Sequence, residues 1–493
     1  MLNLNLKEVL QLSKKYNVIP VFAQTSADME TPLSAYMKID NPEYSFLLES
    51  VEGGENTARY SFLGREPYEI FAYANGNVFR ESKGKKIKYA SQDPLGELRK
   101  IFTEFKVAPV AGLPRFHGGA IGYMGYDAVK LYEKIPAYPK KDLLGWPDIF
   151  YMFTDILLVF DHVYHNIKAV CNIFIETGDT AAKIKTKYEK AVSKINLILK
   201  DVDSPLETKH LKKHKGKIKI KEVTGKNKYK EMVAFAVKEI KNGEAIQVVP
   251  SQRFTIDYNG DPLNIYRALR TINPSPYMHF IRFGDNRIIG ASPEVMVRYE
   301  NGEIYLRPIA GTRPRGKSAA EDTALELELL ADVKERAEHV MLVDLARNDI
   351  GKVAKVGSVK VKDFMTVEKY SHVMHIVSGV TGKIKPGLDG FDVFKSTFPA
   401  GTVSGAPKVR AMQMIEQMET IKRGLYAGAV GYISFSGNID SCISIRTAYY
   451  CKGKVHIQAG AGIVADSDPE FEYKESMNKA MAMMKAVKTA SEE

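Results

Sequence analysis

The sequence predicts an α+β fold of mostly antiparallel β-sheets packed with helices. Strand-like runs rich in Tyr, Phe, Val and Ile follow one another directly and are separated by NG and GG turns. Amphipathic helical stretches stand beside these groups of strands and do not alternate with single strands. Neighbouring strands joined by short turns favour hairpins over parallel crossover units, so we expect antiparallel sheets.

The first part of the chain supplies several strands and three helices. An amphipathic helix begins near the N-terminus, and Asp93 with Pro94 starts a second helix at 93–105. A third helix is predicted at 180–202. Residues 149–160 are apolar, aromatic and too few to span a bilayer, so we expect one buried strand there. The remaining strand-like runs form a predicted meander: 44–51, 60–73 and 75–90.

The later part of the chain has longer elements. An amphipathic helix at 227–243 is closed by Gly243. One long helix is expected at 320–349, with acidic residues towards its start. Residues 424–467 predict hairpins with SGN and KG turns. A final helix from 468 is capped by Asp466, Ser467 or Asp468.

Composition excludes several classes of protein. The 493 residues are 45% apolar and 26% charged, which is globular and not disordered. The three cysteines, Cys171, Cys442 and Cys451, form no disulfide framework and no CxxC metal pair. The N-terminal stretch is interrupted by Lys7 and Glu8, so we expect no signal peptide, no membrane span and a cytoplasmic location.

The formal net charge of +11 raises the possibility of nucleic-acid binding. Residues 205–231 hold ten Lys and three acids, which places +7 of that charge in one stretch. No Arg and a single aromatic residue interleave these lysines, so a platform for stacking bases is missing. We therefore expect a solvated Lys-rich connector and no nucleic acid. The domain prediction is an N-terminal α+β region at 1–204, this connector at 205–224 and a second region at 225–493, which holds the candidate residues for chemistry described next.

Two carboxylate pairs are the first candidates for chemistry. Glu335 and Glu338 lie three residues apart on one predicted helix, and Glu472 and Glu475 do the same on another. Oxygen ligands without a neighbouring Cys or His suit Mg²⁺, which takes one or two carboxylates with substrate oxygens and water. Two glutamates three residues apart are also common on exposed helices. The spacing alone therefore does not distinguish a metal site from a solvated helix face.

Basic and glycine-rich loops are the second group. Residues 308–316, 399–408 and 458–464 are small-residue loops without a known phosphate-binding pattern. Four cations in or near these loops are candidates for pairing with a carboxylate ligand: Arg313, Arg315, Lys408 and Arg446. His375, in an apolar strand, is a candidate for proton transfer, with His372 as its competitor. No nucleophile elbow is present.

Seven ordered blocks resemble the chorismate-utilising enzyme family. They are SPEVMVR (292–298), PIAGTRPRG (308–316), EHVMLVDLARNDIGKV (338–353), YSHVMHIVSGV (370–380), FPAGTVSGAPKVRAM (398–412), GAVGYISFSGNIDSCISIRTA (428–448) and IQAGAGIVADSDPEFEYKESMNKA (457–480). Residues 46–64 resemble the family's first domain. The resemblance implies two intertwined regions and an enzyme that acts on chorismate.

Three positions favour the anthranilate-forming branch of that family. Gln247 stands where the water-adding relatives carry a lysine base, and Ala310 stands where many aminodeoxychorismate-forming relatives carry a lysine nucleophile. The segments 47–50 and 273–278 are similar to a tryptophan feedback site. The implied reaction is amination of chorismate with loss of pyruvate, as the first step of tryptophan biosynthesis. An aminodeoxychorismate-forming enzyme is the alternative.

The resemblance also assigns roles to positions in this sequence. It implies catalytic groups at Gln247, Glu294 (the general acid), His375 (pyruvate loss), Thr402 and Lys479. It implies chorismate contacts at Gly311, Thr312, Tyr426, Arg446, Gly460, Ala461 and Gly462. It implies Mg²⁺ ligands at Glu338 and Glu475, with Glu335 and Glu472 in an outer shell. It implies a tryptophan pocket at Glu49, Ser50, Asn273, Pro276, Tyr277 and Met278, with Cys442 packed beside it.

A partner is implied as well. Ammonia is mostly ammonium at neutral pH, and none of the three cysteines lies in a glutaminase-like elbow. The resemblance therefore implies a separate glutamine amidotransferase subunit (component II), in a heterotetramer with two copies of each chain. We expect tryptophan to inhibit by feedback.

Overall fold

The computed structural model describes residues 2–50, 59–82, 84–206, 211–370 and 373–492. The described strands, in chain order, are β1 (Val18–Ser26), β2 (Tyr44–Glu49), β3 (Tyr60–Arg65), β4 (Glu69–Ala74), β5 (Asn77–Ser82), β6 (Lys85–Ala90), β7 (Gly119–Met124), β8 (Ile149–Thr154), β9 (Ile156–Asp161), β10 (Asn166–Phe174), β11 (Ile220–Glu222), β12 (Gln247–Val248), β13 (Ser251–Asp257), β14 (Tyr277–Phe283), β15 (Asn286–Ser292), β16 (Val295–Glu300), β17 (Glu303–Leu306), β18 (Ile309–Pro314), β19 (Lys360–Lys369), β20 (Val373–Lys383), β21 (Gly405–Ala406), β22 (Ala429–Ser434), β23 (Ile439–Ile443), β24 (Thr447–Cys451) and β25 (Lys454–Gly460).

The helices, in the same order, are α1 (Leu6–Leu12), α2 (Pro32–Ile39), α3 (Pro94–Thr103), α4 (Ala181–Asp203), α5 (Lys226–Lys241), α6 (Pro262–Ile272), α7 (Ala319–Ala331), α8 (Val333–Gly351), α9 (Gly390–Thr397), α10 (Lys408–Met418) and α11 (Pro469–Glu492). Two short 3₁₀ helices lie at Tyr126–Leu131 and Gly401–Val403. Several predicted caps are confirmed. Asp93 Oδ1 accepts a hydrogen bond from the Gly96 N–H at 3.1 Å, and Asp468 caps α11.

Two large sheets organise these strands. Sheet I has the order β1-β10-β9-β3-β2-β14-β15-β24-β25-β13-β11. Sheet II has the order β18-β20-β17-β16-β23-β22-β7-β8-β4-β5-β6, with β19 also paired to β20. The pairs within both are antiparallel, for example Phe46 opposite Ile281 and Ile121 opposite Tyr432. The predicted α+β class with mostly antiparallel sheets is confirmed.

Both sheets draw strands from both ends of the chain. In sheet I, β2 pairs with β14, and in sheet II, β7 pairs with β22. Aromatic rings fill the space between the sheets. Phe62 of β3 contacts Phe116 at 5.2 Å and Tyr432 of β22 at 5.8 Å between ring centroids. Residues 1–204 and 225–493 therefore share one core.

The prediction of a single strand at 149–160 is wrong, because the chain changes sheets in the middle of it. Residues Ile149–Thr154 form β8 in sheet II, and Ile156–Asp161 form β9 in sheet I. Asp155 separates them, and its carboxylate pairs with Lys194 of α4 at 2.6 Å. The predicted meander divides in the same way, since β3 belongs to sheet I and β4 to sheet II.

The predicted long helix at 320–349 is two helices. Asp332 lies between α7 and α8 with an extended backbone, φ −67° and ψ 111°. Its carboxylate accepts hydrogen bonds from the N–H groups of Lys334 and Glu335 at 3.0 and 3.1 Å. An Asp that caps a new N-terminus competes with helix continuation. The apolar periodicity on either side does not reveal this break.

Two further predictions concern membranes and cysteines. Among the described helices, none is long and apolar enough to span a membrane. The three cysteines are buried and unpaired, which confirms the absence of a disulfide framework.

Candidate functional site

Two predicted site residues lie where the chain crosses from one sheet to the other. Glu294 lies between β15 of sheet I and β16 of sheet II, and Arg446 lies between β23 of sheet II and β24 of sheet I. Backbone hydrogen bonds tie the crossings to their neighbours. The Ile443 N–H donates to the Glu294 carbonyl and the Ala291 N–H donates to the Arg446 carbonyl, both at 3.0 Å. Arg446 has a left-handed backbone, φ +51°. The fold therefore places Glu294 and Arg446 in neighbouring crossings between the two sheets.

Glu294 is a buried acid. Its side chain and backbone together are 9% exposed. Burial raises the pKa of the Glu294 carboxyl to about 7, and the nearby Thr402 hydroxyl and Lys479 ammonium oppose that rise. Thr402 Oγ1 is itself buried without a hydrogen bond of good geometry to any described residue. A carboxyl that is partly protonated near neutral pH is able to donate a proton.

Arg446 is the cation that remains available. Its guanidinium makes no ion pair or hydrogen bond with any residue in the described part of the chain, and burial lowers its pKa. The phenol of Tyr426, which is 3% exposed, lies within electrostatic range of it. Arg446 is half-buried, and a cation that is partly removed from water and lacks a partner favours an anionic ligand.

The other three basic candidates form ion pairs with neighbouring acidic side chains. They pair as Arg313 with Asp332 at 2.9 Å, Arg315 with Asp322 at 2.5 Å and Lys408 with Asp349 at 2.6 Å. By residue type, all four cations were candidate partners for a substrate carboxylate. In the described part of the chain, Arg446 is the one of these four that makes no ion pair.

Two glycines, Gly460 at the end of β25 and Gly462 just after it, lie beside Tyr426 and Gln247. A Cβ at Gly460 would lie 2.4 Å from the Pro250 carbonyl oxygen and 3.1 Å from the Tyr426 hydroxyl. A Cβ at Gly462 would lie 2.6 Å from the Gln247 amide nitrogen. Between them, the Ala461 N–H donates to the Tyr229 hydroxyl at 3.2 Å. A side chain at Gly460 would collide with the backbone of Pro250, whereas one at Gly462 would displace the Gln247 amide.

His375 forms a group with the β18 loop. Its Nδ1 lies 2.9 Å from the Gly311 carbonyl oxygen and 3.1 Å from the Thr312 hydroxyl. Because a carbonyl only accepts, Nδ1 carries the proton there and Nε2 is left as the acceptor. Burial lowers the pKa of His375, and the charge of Arg446 lowers it further. His372 lies outside the described residues.

The four predicted carboxylates are electrostatically coupled. Burial raises the pKa of Glu338, and the charges of Glu335 and Glu475 raise it further. Burial also raises the pKa of Glu472, again with help from Glu475. Lys479 pairs with Glu475 at 2.7 Å and lowers the pKa of both other acids. Helices α8 and α11 therefore bring the two pairs together.

These carboxylates fit a hard divalent cation. The Glu472 Oε2 atom is buried without a hydrogen-bond partner in the described part of the chain. No three His, Cys, Asp or Glu side chains among the described residues are arranged as a complete metal cage. Mg²⁺ characteristically takes only one or two carboxylates and fills its remaining positions with substrate oxygens and water. The donor chemistry and the mutual repulsion of the acids agree with that mode.

Gln247 completes this side of the site. It is 3% exposed, and its amide nitrogen donates to Glu338 Oε1 at 3.5 Å. Its amide oxygen is buried without a described partner. Ala310, in β18, presents only a methyl group. Neither position offers an amine to act as base or nucleophile.

A separate cavity lies between the two sheets. Five of the six predicted tryptophan-pocket residues line it, together with Cys442: Glu49, Ser50, Pro276, Tyr277 and Met278. Asn273 does not line it and instead ends α6. The Ser50 hydroxyl oxygen is buried without a described partner. The Glu49 carboxylate accepts from the Tyr266 hydroxyl at 2.5 Å and pairs with Arg270 at 3.3 Å.

Sequence reasoning missed several residues of this cavity. Arg115, Arg298 and Asp440 line one side, and Asp440 pairs with Arg298 and Arg115, each at 3.2 Å. Pro293 and Val295 line another. The alternation of side chains along 293–297 could have indicated that these two residues face away from Glu294. The positions of Arg115 and Asp440 had no local signal.

Comparison with known proteins gives concordant matches. Residues 43–485 match the model of a family described as chorismate binding enzyme. The chain is 48% identical to anthranilate synthase component 1 of Acetivibrio thermocellus, over 99% of each chain. It is 47% identical to the protein of that name from Aquifex aeolicus, over 100% of this chain and 99% of the relative.

A solved structure is similar over nearly the whole length. The crystal structure of anthranilate synthase component I from Streptococcus pneumoniae TIGR4 superposes with a TM-score of 0.77 at 38% identity. The match covers 93% of this chain and 98% of that one.

Proposed function

This chain belongs to the family of chorismate binding enzymes, and from that premise we propose that it converts chorismate and ammonia into anthranilate and pyruvate. Its class is that of a chorismate-utilising lyase. The observation that carries the proposal is the half-buried Arg446, which has no ion-pair partner in the described part of the chain and lies beside Tyr426 in the same site as a carboxylate cluster. Chorismate has two carboxylates, which need two separate sources of positive charge.

The chain's own residues bind one carboxylate directly. Arg446 donates two parallel N–H groups and Tyr426 donates its hydroxyl, which together suit the enolpyruvyl carboxylate. Gly460 and Gly462 present backbone without a side chain beside Tyr426 and Gln247. This placement supports the chorismate contacts that the family resemblance implies at Gly311, Thr312 and Ala461.

The second carboxylate calls for a cation. Glu338 and Glu475 are the proposed Mg²⁺ ligands, with Glu335 and Glu472 around them. When bound, Mg²⁺ supplies positive charge that neutralises the ring carboxylate and withdraws electron density from the ring. Lys479 holds Glu475 at 2.7 Å and limits the repulsion among the acids.

Amination needs a nucleophile and an acid. Ammonia attacks ring carbon 2, and the protonated Glu294 carboxyl gives its proton to the departing 4-hydroxyl, which leaves as water. With a pKa of about 7, roughly half of that carboxyl carries a proton at neutral pH. Gln247, which has no basic amine, supports ammonia over water as the nucleophile.

Elimination needs a base. The base removes the proton from the aminated ring carbon, the adjacent bond to the enolpyruvyl oxygen breaks, and the departing enolate takes up a proton to become pyruvate. Aromatisation to anthranilate drives the step. His375 is neutral because its pKa is lowered, and its Nδ1–H bond to the Gly311 carbonyl leaves Nε2 able to accept a proton. Thr312 lies against the same ring and fixes its orientation.

The supply of ammonia requires a partner. The three buried cysteines of this chain give it no glutaminase nucleophile. We propose a separate glutamine amidotransferase subunit, and we place the assembly in the cytoplasm.

Feedback inhibition by tryptophan is proposed for the cavity between the sheets. Its lining combines apolar and aromatic side chains with the Glu49 carboxylate and the Arg115 and Arg298 guanidiniums. Such a cavity suits a zwitterion with a large apolar side chain.

One assay tests the whole proposal. The pure chain is mixed with chorismate, ammonium and Mg²⁺, and anthranilate fluorescence is followed with pyruvate release. We expect both products, no turnover with glutamine alone, and loss of the signal on adding tryptophan. An aminated product that retains its enolpyruvyl group would instead support the aminodeoxychorismate alternative, and chorismate left unchanged would contradict both.

A further inference from the structure

One short segment has residues in both sites. Pro293 and Val295 line the cavity between the sheets, and Glu294 stands between them in sequence. Side chains alternate in direction along extended backbone. In agreement, the Glu294 carboxyl lies near Thr402 and Lys479, and neither of these lines the cavity. A single residue therefore separates each cavity contact from the candidate acid.

The segment is fixed to a strand that also forms a wall of the cavity. The buried Ser292 hydroxyl donates to the Ile443 carbonyl at 2.7 Å, and the Ile443 N–H donates to the Glu294 carbonyl at 3.0 Å. Val295 lies opposite Cys442 in β23, and Cys442 lines the cavity as well. Pairing then shifts register between Val295 and Val297. The local pairing is thus irregular just after Glu294.

The cavity takes its opposite wall from the other sheet. Leu48 of β2 and Met278 of β14 belong to sheet I, whereas Val295 and Cys442 belong to sheet II. Glu294 lies in the crossing that connects the two sheets. A ligand between the walls contacts both sheets, and packed interiors respond to such insertion by discrete shifts.

We propose that the Pro293–Val295 segment transmits occupancy of this cavity to the Glu294 carboxyl, so that a bound amino acid inhibits by moving the proton donor out of alignment. The inference rests on the proposed function and deepens it. Pro293 and Val295 are positioning residues in this account, because they touch the ligand and not the substrate. Inhibition requires tighter binding of the ligand to the misaligned arrangement.

The test separates ligand binding from its effect on the rate. Tryptophan affinity is measured by calorimetry on the full chain. The uninhibited and fully inhibited kcat/KM are measured with ammonia and Mg²⁺. For Val295→Ala we expect tryptophan affinity to weaken by at most about tenfold, since two methyl groups leave the wall. At saturating tryptophan, the ratio of uninhibited to inhibited kcat/KM should fall by roughly tenfold.

Two variants serve as controls. Val295→Thr keeps the shape of the side chain and should keep full inhibition. Leu48→Ala removes apolar contact from the opposite wall, so it should weaken tryptophan binding without reducing inhibition at saturation. If Val295→Ala does not fold, Pro293→Ala tests the same link from the other side of Glu294.

The outcomes distinguish this inference from the proposed function. Full inhibition of both Val295→Ala and Pro293→Ala at saturation would overturn the link through this segment, while the tryptophan site would stand. Equal loss of inhibition in Leu48→Ala would also overturn it. No heat of tryptophan binding to the parent chain would remove the proposed tryptophan site and the link together.

Discussion

The Glu294 carboxyl and the His375 imidazole show how burial prepares single residues for opposite roles. Burial disfavours the charged form of each group, so it raises the pKa of the acid and lowers the pKa of the base. At neutral pH roughly half of the acid then carries a proton, whereas the imidazole is neutral. Arg446 adds to this by lowering the pKa of His375.

The pH dependence of amination tests the role of Glu294. Because the pKa is raised to about 7, the protonated form predominates below that value and is lost as the pH rises through it. We expect kcat/KM, normalised to the concentration of free ammonia, to fall with increasing pH above about 7. Glu294→Gln should lose roughly 10²- to 10⁴-fold in rate and lack this alkaline limb. If Glu294→Gln kept the same decline of kcat/KM above pH 7, that decline would belong to another titrating group.

The two chemical steps can be separated at His375. His375→Ala removes the proposed base but leaves Glu294 and Arg446 in place. We expect amination to continue and elimination to stall, so that an aminated, non-aromatic intermediate accumulates and is detected by chromatography. Anthranilate formation at the parent rate, without an intermediate, would exclude this role for His375.

At the scale of elements, helix α8 carries Glu335 and Glu338, and its position depends on a buried ion pair. Lys408 of α10 donates to Asp349 of α8 at 2.6 Å, and both side chains are about nine-tenths buried. Burial lowers the pKa of Lys408 and raises that of Asp349, while each charge favours the ionised form of the other. The pair therefore connects α8 to the glycine-rich loop that precedes α10.

Removing one member of this pair should destabilise the protein more than removing both. Lys408→Met leaves the buried Asp349 with only the exposed Lys352, at 3.6 Å, as a partner, for an expected loss of about 3 kcal/mol in the free energy of unfolding. Lys408→Met combined with Asp349→Leu should recover most of that loss. Chemical denaturation monitored by circular dichroism measures both. A double variant less stable than the single one would indicate that the pair itself is net stabilising.

The whole molecule is built so that neither half of the chain completes a sheet. Strand β2 separates β3 from β14 in sheet I, and β7 separates β22 from β8 in sheet II. Residues 225–493 alone would expose the edges of β14 and β22, which are ready templates for association.

Expression of the two halves tests this arrangement. We expect fragment 225–493 to aggregate when it is produced alone. When it is produced together with fragment 1–224, we expect soluble protein with ammonia-dependent activity. Size-exclusion chromatography and the anthranilate assay give the readout. A monomeric, soluble fragment 225–493 with native-like circular dichroism would show that the later region folds independently.

The sequence by itself determined the fold class, helices α3, α4, α5 and α11 with several of their caps, and the residue types available for chemistry, because these depend on local periodicity and capping. It did not indicate α2, α6, α9 or α10, and it could not show that residues 149–160 divide between two sheets or that Asp332 divides a helix. Residue type alone did not select Arg446 from four cations, and only the family resemblance singled it out, since ion pairs such as Lys408 with Asp349 join residues far apart in the chain. Only the tertiary structure placed the cavity and Glu294 on opposite sides of one segment, because that depends on how the two sheets are packed.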